Sequence, residues 1–97
     1  MTGTTRSSEG LDVRRRKLLF HCWHRGMREM DLILGRFADA TLEQLTQEEL
    51  GDLEQLMEVP DRELLAWIIG EAEVPSHYDS PLFRRLYDFN HRRERTD

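Results

Sequence analysis

A single cysteine, Cys22, stands in a chain of 97 residues, so an internal disulfide framework is excluded and a reducing compartment suits the protein. Long apolar runs are missing too. None approaches the roughly 20 residues needed to cross a bilayer, and the N-terminus has no apolar segment of the secretory type, so the chain is expected to be soluble without membrane insertion. The six glycines never gather into a phosphate loop; Gly26 and Gly35 are isolated, and no nucleotide or flavin fingerprint is present. Period-two alternation of apolar and polar residues, the mark of a half-buried strand, is absent throughout.

Positive charge is scarce in the middle. Residues 37–80 hold one Lys or Arg against twelve Asp or Glu, whereas residues 1–36 hold eight against four and residues 81–97 hold five against three. The segments therefore carry net charges of +4, −11 and +2, within a total of −5. A two-signed surface of this kind steers a protein partner in one orientation. With 38% hydrophobic residues the chain can close a modest core, but not a deep cavity as well.

What is present reads as helix. The spacing predicts five helices in one compact all-α, bundle-like domain over residues 11–92, between a disordered tail (residues 1–10) and a charged end (residues 93–97). The first helix, about residues 11–23, lines Leu11, Leu18 and Cys22 along one stripe beside Leu19 and Trp23, leaving Arg14, Arg15, Arg16 and Lys17 mostly solvated. Arg25 and Gly26 interrupt it. The second, about residues 27–38, puts Met27, Met30, Ile33, Leu34 and Phe37 on one face and Arg25, Glu29, Leu32 and Arg36 on the other, with Gly35 on the polar side. A turn or short helical piece follows at residues 41–45. Thr46 and Glu49 then form a capping box that starts the third helix, whose Leu50, Leu53, Leu56 and Met57 make a buried stripe. Pro60 and Asp61 start a fourth helix so apolar, with Leu64, Leu65, Trp67, Ile68 and Ile69, that it is expected at the centre of the fold. Ser80 and Pro81 supply the N-cap and first position of the fifth, which carries Leu82, Phe83, Leu86, Tyr87 and Phe89 and ends at HRRER.

Three kinds of chemistry find little support in these residues. His21, Cys22 and His24 are zinc-ligand types, but Cys22 points away from the histidines on a helix and no second ligand pair accompanies them beyond His77 and His91. The acids of residues 43–73 read as solvated helix faces, and no Ser/His/Asp or Cys/His set has positional logic. The RRRK run at residues 14–17 suits phosphate, and Trp23 suits base stacking, yet the chain's pI is near 5.3 and Glu29 and Asp31 sit where a recognition helix wants donors. RGMREMD, residues 25–31, remains. Its residues alone leave open either an ordinary charged helix face, with Arg25 and Glu29 as an exposed i, i+4 pair, or a partner surface, toward which the apolar Leu32 amid the charges points.

The stretch RRRKLLFHCWHRGMREMDLILGRF at residues 14–37, with RGxxE at Arg25, Gly26 and Glu29, followed by TQEEL and by PDRELLAWI at residues 60–68, resembles the succinate dehydrogenase flavinylation factors, the SdhE-type FAD assembly factors. The likeness covers about residues 11–90. It implies a five-helix domain that is not an enzyme. Its partner would be the flavoprotein subunit of succinate dehydrogenase, or fumarate reductase in some bacteria, and it would promote covalent attachment of FAD to a histidine of that subunit. The resemblance places Arg25, Gly26 and Glu29 at the partner surface, with Arg28, Asp31 and Trp23 as neighbours, and assigns Asp61, Leu64 and Trp67 to cap and core. It implies no catalytic or metal-binding residues, no cofactor held stably by this chain, a monomer when free, and a bacterial cytoplasmic location, or the mitochondrial matrix for a processed form. A helical adaptor or nucleic-acid-binding regulator acting through RRRK is the competing reading, and a catalytic flavin transferase the third.

Overall fold

A computed structural model of the chain describes residues 10–95, with side chains through residue 92. The tail expected before Gly10 and the side chains of the charged end lie outside the described residues. Five α-helices follow one another: α1 (Val13–Trp23), α2 (Arg28–Thr41), α3 (Gln47–Met57), α4 (Asp61–Ile68) and α5 (Pro81–Arg95), with 3₁₀ turns at Leu42–Gln44 and Ser76–Tyr78. The backbone of α5 runs on through the whole of HRRER rather than ending at it.

Local chemistry sets the helix starts. Asp12 caps α1 by accepting the Arg15 amide at 2.8 Å, two residues later than the apolar pattern suggests. At α3 both halves of the capping box are made: Thr46 Oγ accepts from the Glu49 amide at 3.1 Å, and Glu49 Oε1 accepts from the Thr46 amide at 2.9 Å. Ser80 Oγ accepts from the Phe83 amide at 3.1 Å, which places Pro81 at the first turn of α5, where a missing amide hydrogen does no harm.

The core is one cluster drawn from every helix. Its middle is α2, whose Met30, Leu34, Gly35, Phe37 and Ala38 are buried and which packs along α1 on one side and α5 on another. The expectation that α4 is central is corrected. Leu64, Trp67 and Ile68 are buried, but Leu65 is half-buried and Ile69 exposed, because α4 packs mainly on α5 and its outer turn has nothing to cover it. Gly35 is also corrected, from polar side to core. A Cβ there would stand 2.2 Å from Cδ2 of Trp23, so the missing side chain is what lets the indole lie flat on α2.

The basic run is less solvated than its charge suggests. Arg14 donates to both carboxylate oxygens of Glu54 at 2.8 Å and to Gln47 at 2.7 Å, tying α1 to α3. Arg15 donates to the carbonyls of Leu42 and Leu45 and pairs with Asp12, and Arg16 reaches the Leu11 carbonyl at 3.0 Å. Arg15 and Arg16 thus satisfy backbone carbonyls and Arg14 bridges two helices, and a phosphate would compete with those bonds.

Candidate functional site

The turn between α1 and α2 is built around a backbone that only glycine adopts easily. Gly26 has φ +93°, and no atom lies within 4 Å of where a Cβ would stand. The site is open, and the constraint is conformational rather than steric. The reversal ends α1 at Trp23 and restarts the helix at Arg28, so Arg25 is not on the α2 arc at all.

Arg25 turns inward. Its side chain is 11% exposed, and the guanidinium donates from Nε to Asp61 Oδ1 at 2.7 Å, from Nη1 to the Met57 carbonyl at 2.7 Å and from Nη2 to the Val59 carbonyl at 2.8 Å. Met57 ends α3 and Asp61 begins α4. The Met57 carbonyl lies at the negative pole of α3, the Val59 carbonyl belongs to the linker beyond it, and the Asp61 carboxylate adds a full charge, so one cation answers all three. Arg25, expected at the partner surface, is thus mostly turned inward as a clasp between the end of α3 and the start of α4, and among the described residues it does not form the i, i+4 pair with Glu29 that an ordinary charged helix face would have. Asp61, assigned to cap and core, is instead the acidic partner of this clasp, and Pro60 occupies the cap position of α4.

Two other expected neighbours face inward as well. Asp31 accepts the Arg25 backbone amide at 2.6 Å, which satisfies a donor that the turn leaves over. Trp23 is 4% exposed; its ring covers Gly35 and its Nε1 donates to Asp39 at 3.1 Å. An indole held this way is part of the packing between α1 and α2.

Three residues of the motif remain outside. Gly26, Arg28 and Glu29 are exposed, and no ion pair among the described residues engages Arg28 or Glu29. They sit at the positive pole of α2, where Glu29 in the first turn is favourably placed. Below them Met30 and Leu34 are fully buried and Met27 half-buried. A rigid knuckle thus presents one cation, one anion and a bare backbone.

An exposed aromatic adjoins it. Phe20 is 60% exposed and stacks on His24 with centroids 3.9 Å apart and planes 17° from parallel, while His24 Nδ1 donates to the Phe20 carbonyl at 2.7 Å. Helical spacing could have found it, since Phe20 falls opposite the stripe of Leu18, Cys22 and Trp23. Cys22 is fully buried beneath, and burial pushes its thiol up to about 12, leaving no thiolate at neutral pH. Among the described residues no group of three His, Cys, Asp or Glu could hold a metal ion, and no helix is long and apolar enough to cross a membrane.

Residues 16–90 match the family described as flavinator of succinate dehydrogenase. The chain is 38% identical over 82 residues to the FAD assembly factor SdhE of Acetobacter pasteurianus, covering 84% of this chain and 75% of that one. It is 39% identical over 70 residues to a mitochondrial succinate dehydrogenase assembly factor 2 of Dictyostelium discoideum, covering 72% of this chain and 50% of that protein. Against that factor in Debaryomyces hansenii the figures are 39% over 69 residues, with 71% and 49% covered. The chain thus spans three quarters of the bacterial relative and about half of the mitochondrial ones. The match takes in the whole of α2 to α4, the clasp and the exposed knuckle, and on this evidence the chain belongs to the succinate dehydrogenase flavinator family.

Proposed function

We propose that this chain is an assembly factor that docks through Gly26, Arg28 and Glu29 on the flavoprotein subunit of succinate dehydrogenase and promotes covalent attachment of FAD to that subunit. The observation that carries the reading is that Arg28 and Glu29, exposed and without an ion-pair partner among the described residues, open α2 just after a turn that Arg25 and Asp31 brace from behind, in a chain of this family. Charged groups left without partners on a rigid support lose little freedom on docking and give directional pairing. Gly26 lets another backbone approach closely.

The chain makes and breaks no bond in this scheme. Flavin and acceptor histidine belong to the client, and the factor accelerates their joining by binding more tightly to the client conformation that aligns them. FAD is carried by the client rather than held stably here. The free factor is a monomer, and the flavoprotein subunit of fumarate reductase is a second client. Since Arg14, Arg15 and Arg16 are engaged within the fold, a nucleic-acid reading through RRRK is not favoured.

The test is covalent flavin on the client, read as in-gel fluorescence after denaturation in a host lacking the native factor. Glu29→Ala is expected to lower client affinity about tenfold and flavinylation with it, with the fold unchanged, because a charge-assisted contact is lost at an exposed position. Gly26→Arg is expected to abolish both, by bulk at the contact and by strain at φ +93°. Normal flavinylation with both variants sinks the proposal.

A further inference from the structure

Among the described residues Asn90, on α5, is the single buried polar side chain, 8% exposed, and its Nδ2 finds no acceptor. A buried donor without a partner is destabilising and needs a reason. Asn90 lines a dimple of about 20 Å³ between α2 and α5, walled by Leu32, Ile33, Arg36 and Phe89. That volume holds one oxygen atom, not a ring or a cofactor, and because Nδ2 itself is closed to solvent, the Asn90 amide has to turn to meet an oxygen there. Phe89 is held against the buried Phe37 edge-to-face, centroids 5.6 Å apart, so the wall is fixed. Arg36 is exposed, and no ion pair among the described residues engages it.

The dimple continues the docking face. Glu29, Leu32, Ile33 and Arg36 follow at i, i+3, i+4 and i+7 along α2, so the arc that begins at the RGxxE knuckle ends at the dimple. It offers a neutral donor, a guanidinium fork and apolar flanks, and no acid lines it. A carboxylate is the group that uses both donors at once, since each of its oxygens accepts and its charge answers the guanidinium.

The geometry points to this dimple as a second anchor for the same client: it takes an Asp or Glu side chain of the flavoprotein, one carboxylate oxygen accepting from Asn90 Nδ2 and the other from Arg36. Leu32, Ile33 and Phe89 shield the pair from water, which strengthens it. The inference rests on the docking reading above and extends that contact over the length of α2.

The experiment measures affinity of the full chain for the flavoprotein subunit by calorimetry, together with the melting temperature of each free variant. Asn90→Leu and Arg36→Gln are each expected to weaken binding about tenfold. Asn90→Leu is also expected to raise the melting temperature, since the orphan donor is gone, so weaker binding cannot be blamed on a damaged fold. Arg36→Gln changes an exposed residue and keeps the comparison valid whatever Asn90→Leu does to folding; it should also flatten the salt dependence of affinity. Native affinity in Asn90→Leu, whether or not Arg36→Gln binds less well, overturns the anchor and leaves Nδ2 serving water. If Glu29→Ala weakens binding while both dimple variants bind normally, the anchor falls and the docking reading stands. If all three bind normally, both fall.

Discussion

Replacing Arg25 with alanine removes the cation that faces the Met57 and Val59 carbonyls and the Asp61 carboxylate at 2.7–2.8 Å. The three acceptors lose their partner together. Hydrogen bonds to a charged group are each worth about 1.5–3 kcal/mol, and breaking a buried pair by removing one partner costs about 3–5 kcal/mol. Asp61 is 24% exposed, so water recovers part of the loss. A net cost of about 3 kcal/mol is the reasonable centre. For a domain of this size that lowers the melting temperature by about 12–24 °C, a large share of the total stability of about 5–15 kcal/mol usual for a domain. The assay is thermal melting followed by circular dichroism, repeated in urea for the free energy. Asp61→Asn, which keeps shape and removes charge, completes a double-mutant cycle with an expected coupling of about 1–3 kcal/mol. Arg25→Lys should fall between, because one ammonium cannot meet three acceptors in the fixed fork of a guanidinium. Glu29→Ala, at an exposed site, should stay within about 0.5 kcal/mol of the native chain. An Arg25→Ala variant melting within about 2 °C of native, or a coupling near zero, would refute the clasp and return Arg25 to the docking surface.

Gly35→Ala should destabilise by about 1–3 kcal/mol in urea titration, although alanine favours helix by about 1 kcal/mol, because the added Cβ meets the Trp23 ring at 2.2 Å. A more stable variant would show the indole to be movable. Cys22 should resist thiol reagents at pH 8 in the native chain and react at once in denaturant, since burial holds the thiol near 12; rapid native labelling would contradict that packing. The carboxyls of Glu54, bound by Arg14, and of Glu49, bound by the Thr46 amide, are held below their usual 4.5. A lowered folded value adds stability above the unfolded value, which is lost as pH falls through the folded one. Melting temperature should therefore decline below about pH 4.5, and Glu54→Gln should make that decline shallower. An unchanged acid limb in this variant would mean that the Arg14–Glu54 pair contributes nothing.

Much of the fold was legible because its signals are local. The capping box at Thr46 and Glu49, the Ser80 cap before Pro81 and the apolar stripes of α2 and α3 each depend on residues within a few positions of one another. What misled was the wheel drawn through Arg25. A helical projection assumes continuous helix, and Gly26 breaks it by one residue at positive φ, which throws Arg25 off the arc it was counted on. Gly35 misled differently: a residue without a side chain has no polarity, so only the indole lying on it reveals its face. The excess of apolar residues in α4 likewise measured composition, not position.

The amino-acid sequence by itself determined the class of the fold, the placing of most helix starts, the two-signed charge and the RGxxE stretch as the place to look. Tertiary structure decided which member of that stretch turns inward and which stays in solvent. Arg25 and Glu29 carry opposite charge at helical spacing, and nothing in the sequence separates a clasp from a contact. The difference lies in Met57, Val59 and Asp61, which stand more than thirty residues away in the chain and become neighbours only when α3 and α4 pack against the turn. Burial then removes water as the competitor for the Arg25 charge, while Arg28 and Glu29 keep theirs in solvent and remain available to a partner.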